Sequence, residues 1–166
     1  MEARLNYAKL SQEPLKGMYA VNGYLAHCGL EPSLLELVKV RASQINGCAF
    51  CLDMHTKDAR AHGETEQRLY GLTAWRETPF YSNRERAALA WTEAVTRISE
   101  GVSDLVFEQA RKHFSEQELA DLTWAVVLIN GWNRLAIAFQ VPPGSYKPPV
   151  PAESADRPAA AGRASD

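Results

Sequence analysis

The feature that most constrains this chain is a long apolar segment announced by a helix-start signal. Ser115 and Glu118 form the Ser-x-x-Glu pattern of a capping box, in which hydroxyl and carboxylate each satisfy a backbone N–H at a helix start. The segment behind it runs from Leu119 to Val141, and Asn130, Asn133, Arg134 and Gln140 interrupt it. Those polar residues argue for a buried helix and against a membrane span. No stretch of the chain alternates convincingly as a strand would, so the fold class predicted is all-α.

Further helices are read from apolar spacing and from their ends. Leu15, Met18, Tyr19, Val21 and Leu25 predict an amphipathic helix over Glu13 to His27, followed by Gly29. Pro32 suits the first turn of a second helix, which the Asn46-Gly47 pair should stop. A third should begin at Cys48 and run to about His62, with Gly63 as its terminator. Thr65 to Leu72 reads as a short helix, Trp75 to Tyr81 with Pro79 as a loop, and Arg84 to Ile98 as another helix. Ser103 can cap one more, reaching Phe114. The reading is a compact domain of about six to seven helices over residues 1–144. After Pro142 the chain turns rich in Pro, Ala and Ser, and residues 145–166 read as a flexible tail.

At 166 residues, 46% hydrophobic, one domain can bury a core without help from metal or disulfides. A formal charge of -2 gives no basic excess, so neither nucleic acid nor an anionic membrane is an expected partner. The start, Met-Glu-Ala-Arg-Leu-Asn, does not resemble a secretory signal, and a cytoplasmic location is expected. Three cysteines are too few for a secreted disulfide framework. In a reducing compartment a close pair is more often catalytic or metal-binding.

Two of the three make such a pair. An α-helix turns about 100° and rises ~1.5 Å per residue, which puts Cys48, Cys51 and His55 on one face. The two cysteine Cα atoms should lie about 5 Å apart, inside the disulfide range of roughly 4.4 to 6.8 Å. His55 is one turn from Cys51 but about 10 Å of rise from Cys48, so it can serve Cys51 as base. Cys48, at the helix start, has free N–H groups and the positive end of the dipole, which favour its thiolate. The division suggests that a partly buried Cys51 attacks an oxidant such as a peroxide, Cys48 resolves the sulfenic acid, and an external dithiol reopens the disulfide at the more accessible Cys48. A hairpin through Asn46-Gly47 can bring Glu36 to His55 as its orienting carboxylate.

Zinc is the rival reading. Cys48, Cys51 and His55 are three potential ligands, but His62 lies about 10 Å of rise beyond His55, and a fourth would have to come from His27, Cys28, Glu36 or another distant residue. His27 and Cys28 read as helix-end and packing residues, His113 as a solvated helix-end residue, and Arg41 and Arg134 as structural ion-pair partners. Trp91, Trp124 and Trp132 read as core or subunit-contact aromatics.

The run Glu36-x11-Cys48-x2-Cys51-x3-His55, with Arg41, Ser43 and Asn46-Gly47 between, resembles the alkyl hydroperoxidase D core of the carboxymuconolactone decarboxylase-like superfamily. The segment Ile129-Asn-Gly-Trp-Asn-Arg-Leu135 resembles a late helix common in those proteins. The resemblance implies an all-α homo-oligomer, commonly a trimer or hexamer, with peroxidase activity in an antioxidant role; no cofactor and no resident metal are expected. It implies Cys51 as the peroxide-reactive thiol, Cys48 as the resolving and reductant-facing thiol, and Glu36 and His55 as the proton relay. The reductant implied is a lipoylated or thioredoxin-like protein, or a small thiol. Some members carry a further histidine where this chain has Phe50. The decarboxylase branch of the same fold typically lacks the dithiol, and a metal-binding or redox-sensing oligomer is the non-catalytic alternative. Phe50 and Leu52 suggest apolar surroundings that favour an organic hydroperoxide.

Overall fold

A computed structural model describes residues 2–149. Within them there is no strand, and eight α-helices follow one another: α1 Tyr7–Leu10, α2 Gln12–Leu25, α3 Pro32–Asn46, α4 Ala49–Ala61, α5 Glu66–Gly71, α6 Asn83–Thr96, α7 Asp104–Arg111 and α8 Glu116–Ala138. The all-α expectation holds. The helix beyond the seven read from the sequence is α1, a single four-residue turn with no buried side chain, too short to show a period.

Helix α3 is the central element, packed against α4, α6 and α8. Its sequence explains this, because Leu34, Leu35, Leu37, Val38, Val40 and Ala42 are all buried and surround the helix instead of lining one stripe. One apolar core joins α2, α3, α6, α7 and α8 around Leu35, Val38, Leu122 and Val126. A second lies between α3, α4, α5 and α6 around Leu37, Leu72, Trp75 and Leu89. A third, small one holds Cys48, Cys51 and Ala136, with Phe50 and Val141 packed on it.

The caps act as read at Ser103 and Ser115, whose hydroxyls each accept the N–H three residues on, and Ser115 with Glu118 completes its capping box; Thr65 caps α5 in the same way. Ser82 with Glu85 forms a second box that opens α6. The region read as a loop from Trp75 begins inside a 3₁₀ segment, Leu72–Glu77, because Leu72 and Trp75 are core residues and the Trp75 indole N–H donates to Glu93 Oε1 at 2.8 Å. Helix α6 stops at Thr96, two residues before the expected Ile98, which is exposed.

Tyr146, assigned by the sequence to the tail, is hydrogen-bonded to α4, while residues 150–166 of that tail lie outside the described residues. No helix among the described residues is long and apolar enough to cross a membrane.

Candidate active site

The site is built at the turn between α3 and α4. Gly47 takes a left-handed backbone conformation (φ 70°) that lets α3 end and the chain reverse, and the Cys48 N–H closes back on Ser43 O at 3.0 Å. Cys48 is the N-cap of α4, and its sulfur accepts the Cys51 N–H at 3.3 Å. The helix-start environment read from the sequence is therefore present. The two sulfurs stand at disulfide distance, with the Cα atoms 5.3 Å apart.

A buried polar network holds this turn against α8. Asn46 Nδ2 donates to Asn130 Oδ1 at 2.9 Å and to Asn133 Oδ1 at 2.8 Å, and Asn133 Nδ2 donates to Ser43 Oγ at 3.1 Å. Asn130 Nδ2 in turn reaches Thr96 Oγ1 on α6, and Arg134 donates to Asn130 Oδ1 at 3.0 Å. The polar residues that exclude a membrane span thus fix the dithiol turn. Asn130 and Asn133, three residues apart in an apolar helix, were the available signal.

The expected carboxylate–histidine pair forms. Glu36 is buried on α3, and its Oε2 lies 3.0 Å from Nδ1 of the buried His55. Burial works to raise the Glu36 carboxyl, but the His55 hydrogen bond and Lys39, whose Nζ is 2.7 Å from Oε1, outweigh it and hold the group below its ordinary value. An ionised carboxylate only accepts, so His55 Nδ1 carries the hydrogen, and in the neutral ring Nε2 keeps the lone pair.

Two residues not singled out in the sequence complete the surroundings. Asp58 Oδ2 lies 4.0 Å from the same His55 Nδ1, and the Tyr146 hydroxyl donates to Asp58 Oδ1 at 2.6 Å. A cavity of about 370 Å³ opens beside them, with His55, Met54, Phe50 and Lys39 on one wall and Tyr19, Leu128 and Trp132 on another.

Neither cysteine lines that cavity, and one sequence expectation is corrected here. Cys48 was to be the accessible sulfur, yet it is 1% exposed, as Cys51 is. The start of α4 abuts the end of α8, where Ala136 and Val141 cover the pair.

For a metal, the acidic and imidazole side chains matter more than the sulfurs. Among the described residues, Glu36, His55 and Asp58 alone bring three ligand atoms within 4.8 Å of one another. Lys39 and Tyr146 already engage the outer oxygens of the two carboxylates. The remaining sequence candidates lie elsewhere. Arg41 pairs with Glu93 at 2.7 Å, Cys28 is half-buried with its thiol on Leu25 O, and the His27 ring is exposed. Trp91 is core, Trp132 lines the cavity, and Trp124 is exposed.

With this geometry in place, residues 12–94 match the carboxymuconolactone decarboxylase family. The chain belongs to that family. Within it the chain is of the alkyl hydroperoxidase D-like type. The uncharacterized protein YdfG of Bacillus subtilis (strain 168) is 45% identical over 140 residues, which span 84% of this chain and 95% of that protein. A crystal structure from Agrobacterium tumefaciens, of a protein of unknown function and candidate antioxidant defence protein AhpD, superposes with a TM-score of 0.84 at 45% identity. It covers 87% of this chain and all of its own. The debrominase Bmp8 shares the fold alone, with a TM-score of 0.71 and 16% identity over 78% of this chain and 70% of its own.

Proposed function

We propose that this chain is a thiol-dependent peroxidase, an antioxidant enzyme that reduces organic hydroperoxides through a Cys48–Cys51 disulfide. The observation that carries the reading is the pair of sulfurs at disulfide distance, one helical turn before a histidine already oriented by a buried carboxylate. His55 Nε2 takes the Cys51 proton, and the thiolate attacks the distal peroxide oxygen. The O–O bond breaks, Cys51 becomes the sulfenic acid, and the leaving alkoxide takes the proton back from the imidazolium as the alcohol departs. Cys48 attacks the sulfenic sulfur, water leaves and the disulfide forms. An external dithiol, on a lipoylated or thioredoxin-like protein, returns both thiols and is itself oxidised. Glu36 keeps the imidazole in the tautomer that can accept the proton.

The largely apolar cavity beside His55 supports an organic hydroperoxide over hydrogen peroxide. Trp124, Val127 and Ile137, exposed along α8, favour assembly into a homo-oligomer.

The test is mass spectrometry of thiol state in reduced protein before and after a pulse of cumene hydroperoxide. Wild type should lose two hydrogens as Cys48 and Cys51 pair, and Cys51→Ser should consume no peroxide. Wild-type turnover in Cys51→Ser would remove the proposed nucleophile. An activity that survives loss of both cysteines would point to decarboxylase-like chemistry on the same fold.

A further inference from the structure

The imidazole has a second arm that the thiol chemistry above does not use. Beyond α8 the chain returns across α4, and three hydrogen bonds seat it there. Gly144 N–H donates to Asp53 Oδ2 at 3.0 Å, Lys57 Nζ donates to Tyr146 O at 3.1 Å, and the Tyr146 hydroxyl donates to Asp58 Oδ1 at 2.6 Å. The last bond fixes the rotamer of Asp58, and the other oxygen, Oδ2, is the one that faces His55 Nδ1 at 4.0 Å.

The charges around the ring then have a definite sum. Glu36 and Asp58 contribute two carboxylates and Lys39 one ammonium, and Tyr146 is a neutral phenol. Burial, followed by the hydrogen bond to Asp58, raises the Tyr146 hydroxyl and keeps it a donor. One negative charge is left over, and a proton on His55 balances it. The surroundings therefore match the imidazolium formed when the imidazole takes the proton from the thiol. Asp58 and Tyr146 also face the cavity with His55, so the arm lies on the side from which a substrate would reach the ring.

We propose that Asp58 and Tyr146 are positioning residues for His55: Tyr146 holds Asp58 so that its second oxygen stabilises the imidazolium and, through it, the Cys51 thiolate. The inference rests on the thiol–imidazole reading of the site. It makes the segment after α8 part of the active site, and it assigns Tyr146 an effect that passes entirely through Asp58.

The test reads thiolate formation without any peroxide. The ultraviolet thiolate absorbance of the fully reduced, full-length chain is followed against pH, and the same titration of Cys51→Ser is subtracted. Asp58→Asn should lower the Cys51 thiolate present at neutral pH by about threefold or more, because an opposite charge within ~4–6 Å favours a charged group. Tyr146→Phe should give a smaller fall in the same direction. The double variant should match Asp58→Asn alone, since the Tyr146 hydroxyl spends its hydrogen on Asp58. Asp58→Glu, which restores the charge, should recover most of the thiolate, and this separates the role of the charge from any effect on folding.

An unchanged thiolate in Asp58→Asn would overturn the proposal. Additive effects in the double variant, or a fall in Asp58→Glu as large as in Asp58→Asn, would do the same. If the thiolate responds as expected but no hydroperoxide is consumed, the peroxidase reading fails and the positioning role stands.

Discussion

The Asn network at the dithiol turn makes the sharpest test of how this site is held. Asn133 is fully buried on α8, accepts from Asn46 at 2.8 Å and donates to Ser43 Oγ at 3.1 Å. Asn133→Ala removes both bonds. Asn46 keeps its bond to Asn130, but the fully buried Ser43 hydroxyl loses its partner. With a net value of about 1 kcal/mol per hydrogen bond and about 1–3 kcal/mol for an orphaned buried group, the loss should be roughly 2–4 kcal/mol. For a domain of this size that is about 5–15 °C in Tm. Urea unfolding of the reduced chain should show a lower midpoint with the slope unchanged, which places the effect in the folded state. The cycle with Ser43→Ala isolates the cause. Removing the hydroxyl as well abolishes the orphan, so the double variant should be less destabilised than the sum of the singles by about 1 kcal/mol or more. A loss below about 1 kcal/mol for Asn133→Ala, or strict additivity in the cycle, would refute the view that this network holds the turn.

Glu93 is a buried carboxylate shared by Arg41, Arg76 and the Trp75 indole, and Glu93→Gln should destabilise the fold by roughly 3 kcal/mol at neutral pH. Burial raises this carboxyl, but its three donors outweigh burial and hold it below the ordinary 4.5. The stabilisation is thus present above that value and lost as pH falls through the lowered one, so wild type and variant should converge in acid in a pH series of urea melts. Gly47→Ala meets no atom within 4 Å but must take φ 70°, and should cost about 1–2 kcal/mol through the backbone alone, read by the same melts. Glu36→Gln should slow peroxide-driven disulfide formation by about tenfold or more in stopped-flow assays, because the amide loses the charge and keeps one acceptor oxygen for two donors, and with Lys39 on that oxygen its NH2 faces the imidazole. Val141→Ala, which thins the cover over the sulfurs, should speed reduction of the disulfide by dithiothreitol several-fold and leave the peroxide step unchanged.

What the sequence made legible was local. Ser115 with Glu118 and Ser103 cap over three residues, and Cys48, Cys51 and His55 share a face by helical arithmetic. Ser82 with Glu85 obeys the same rule as the Ser115 box and was open to the same reading. Even the contact between Glu36 and His55 is nearly local, because Asn46-Gly47 folds α3 and α4 against each other and brings two residues 19 apart into register. The Asn46 bonds to Asn130 and Asn133 span 84 and 87 residues, and that between Tyr146 and Asp58 spans 88. Such pairs depend on how α8 and the segment after it lie across α3 and α4, and no spacing rule carries that information. An asparagine inside an apolar helix announces that it needs a partner but does not name one.

The burial of Cys48 belongs to the same class. A helix start supplies N–H donors whatever surrounds it, so the chemistry of the position follows from the sequence, while its exposure depends on which other element packs against it. Here α8 and Val141 close that side, and a cavity wall built by His55, Phe50 and Met54 stands on the imidazole side. Oxidant and reductant therefore face different tasks in the proposed cycle. A hydroperoxide in the cavity is parted from Cys51 by the wall of His55, Phe50 and Met54, whereas a dithiol carried on a protein must displace the cover of Ala136 and Val141. In the proposed cycle the two reactants thus meet the pair through different covers, and substitutions at Val141 and at Asp58 should act on different halves of it.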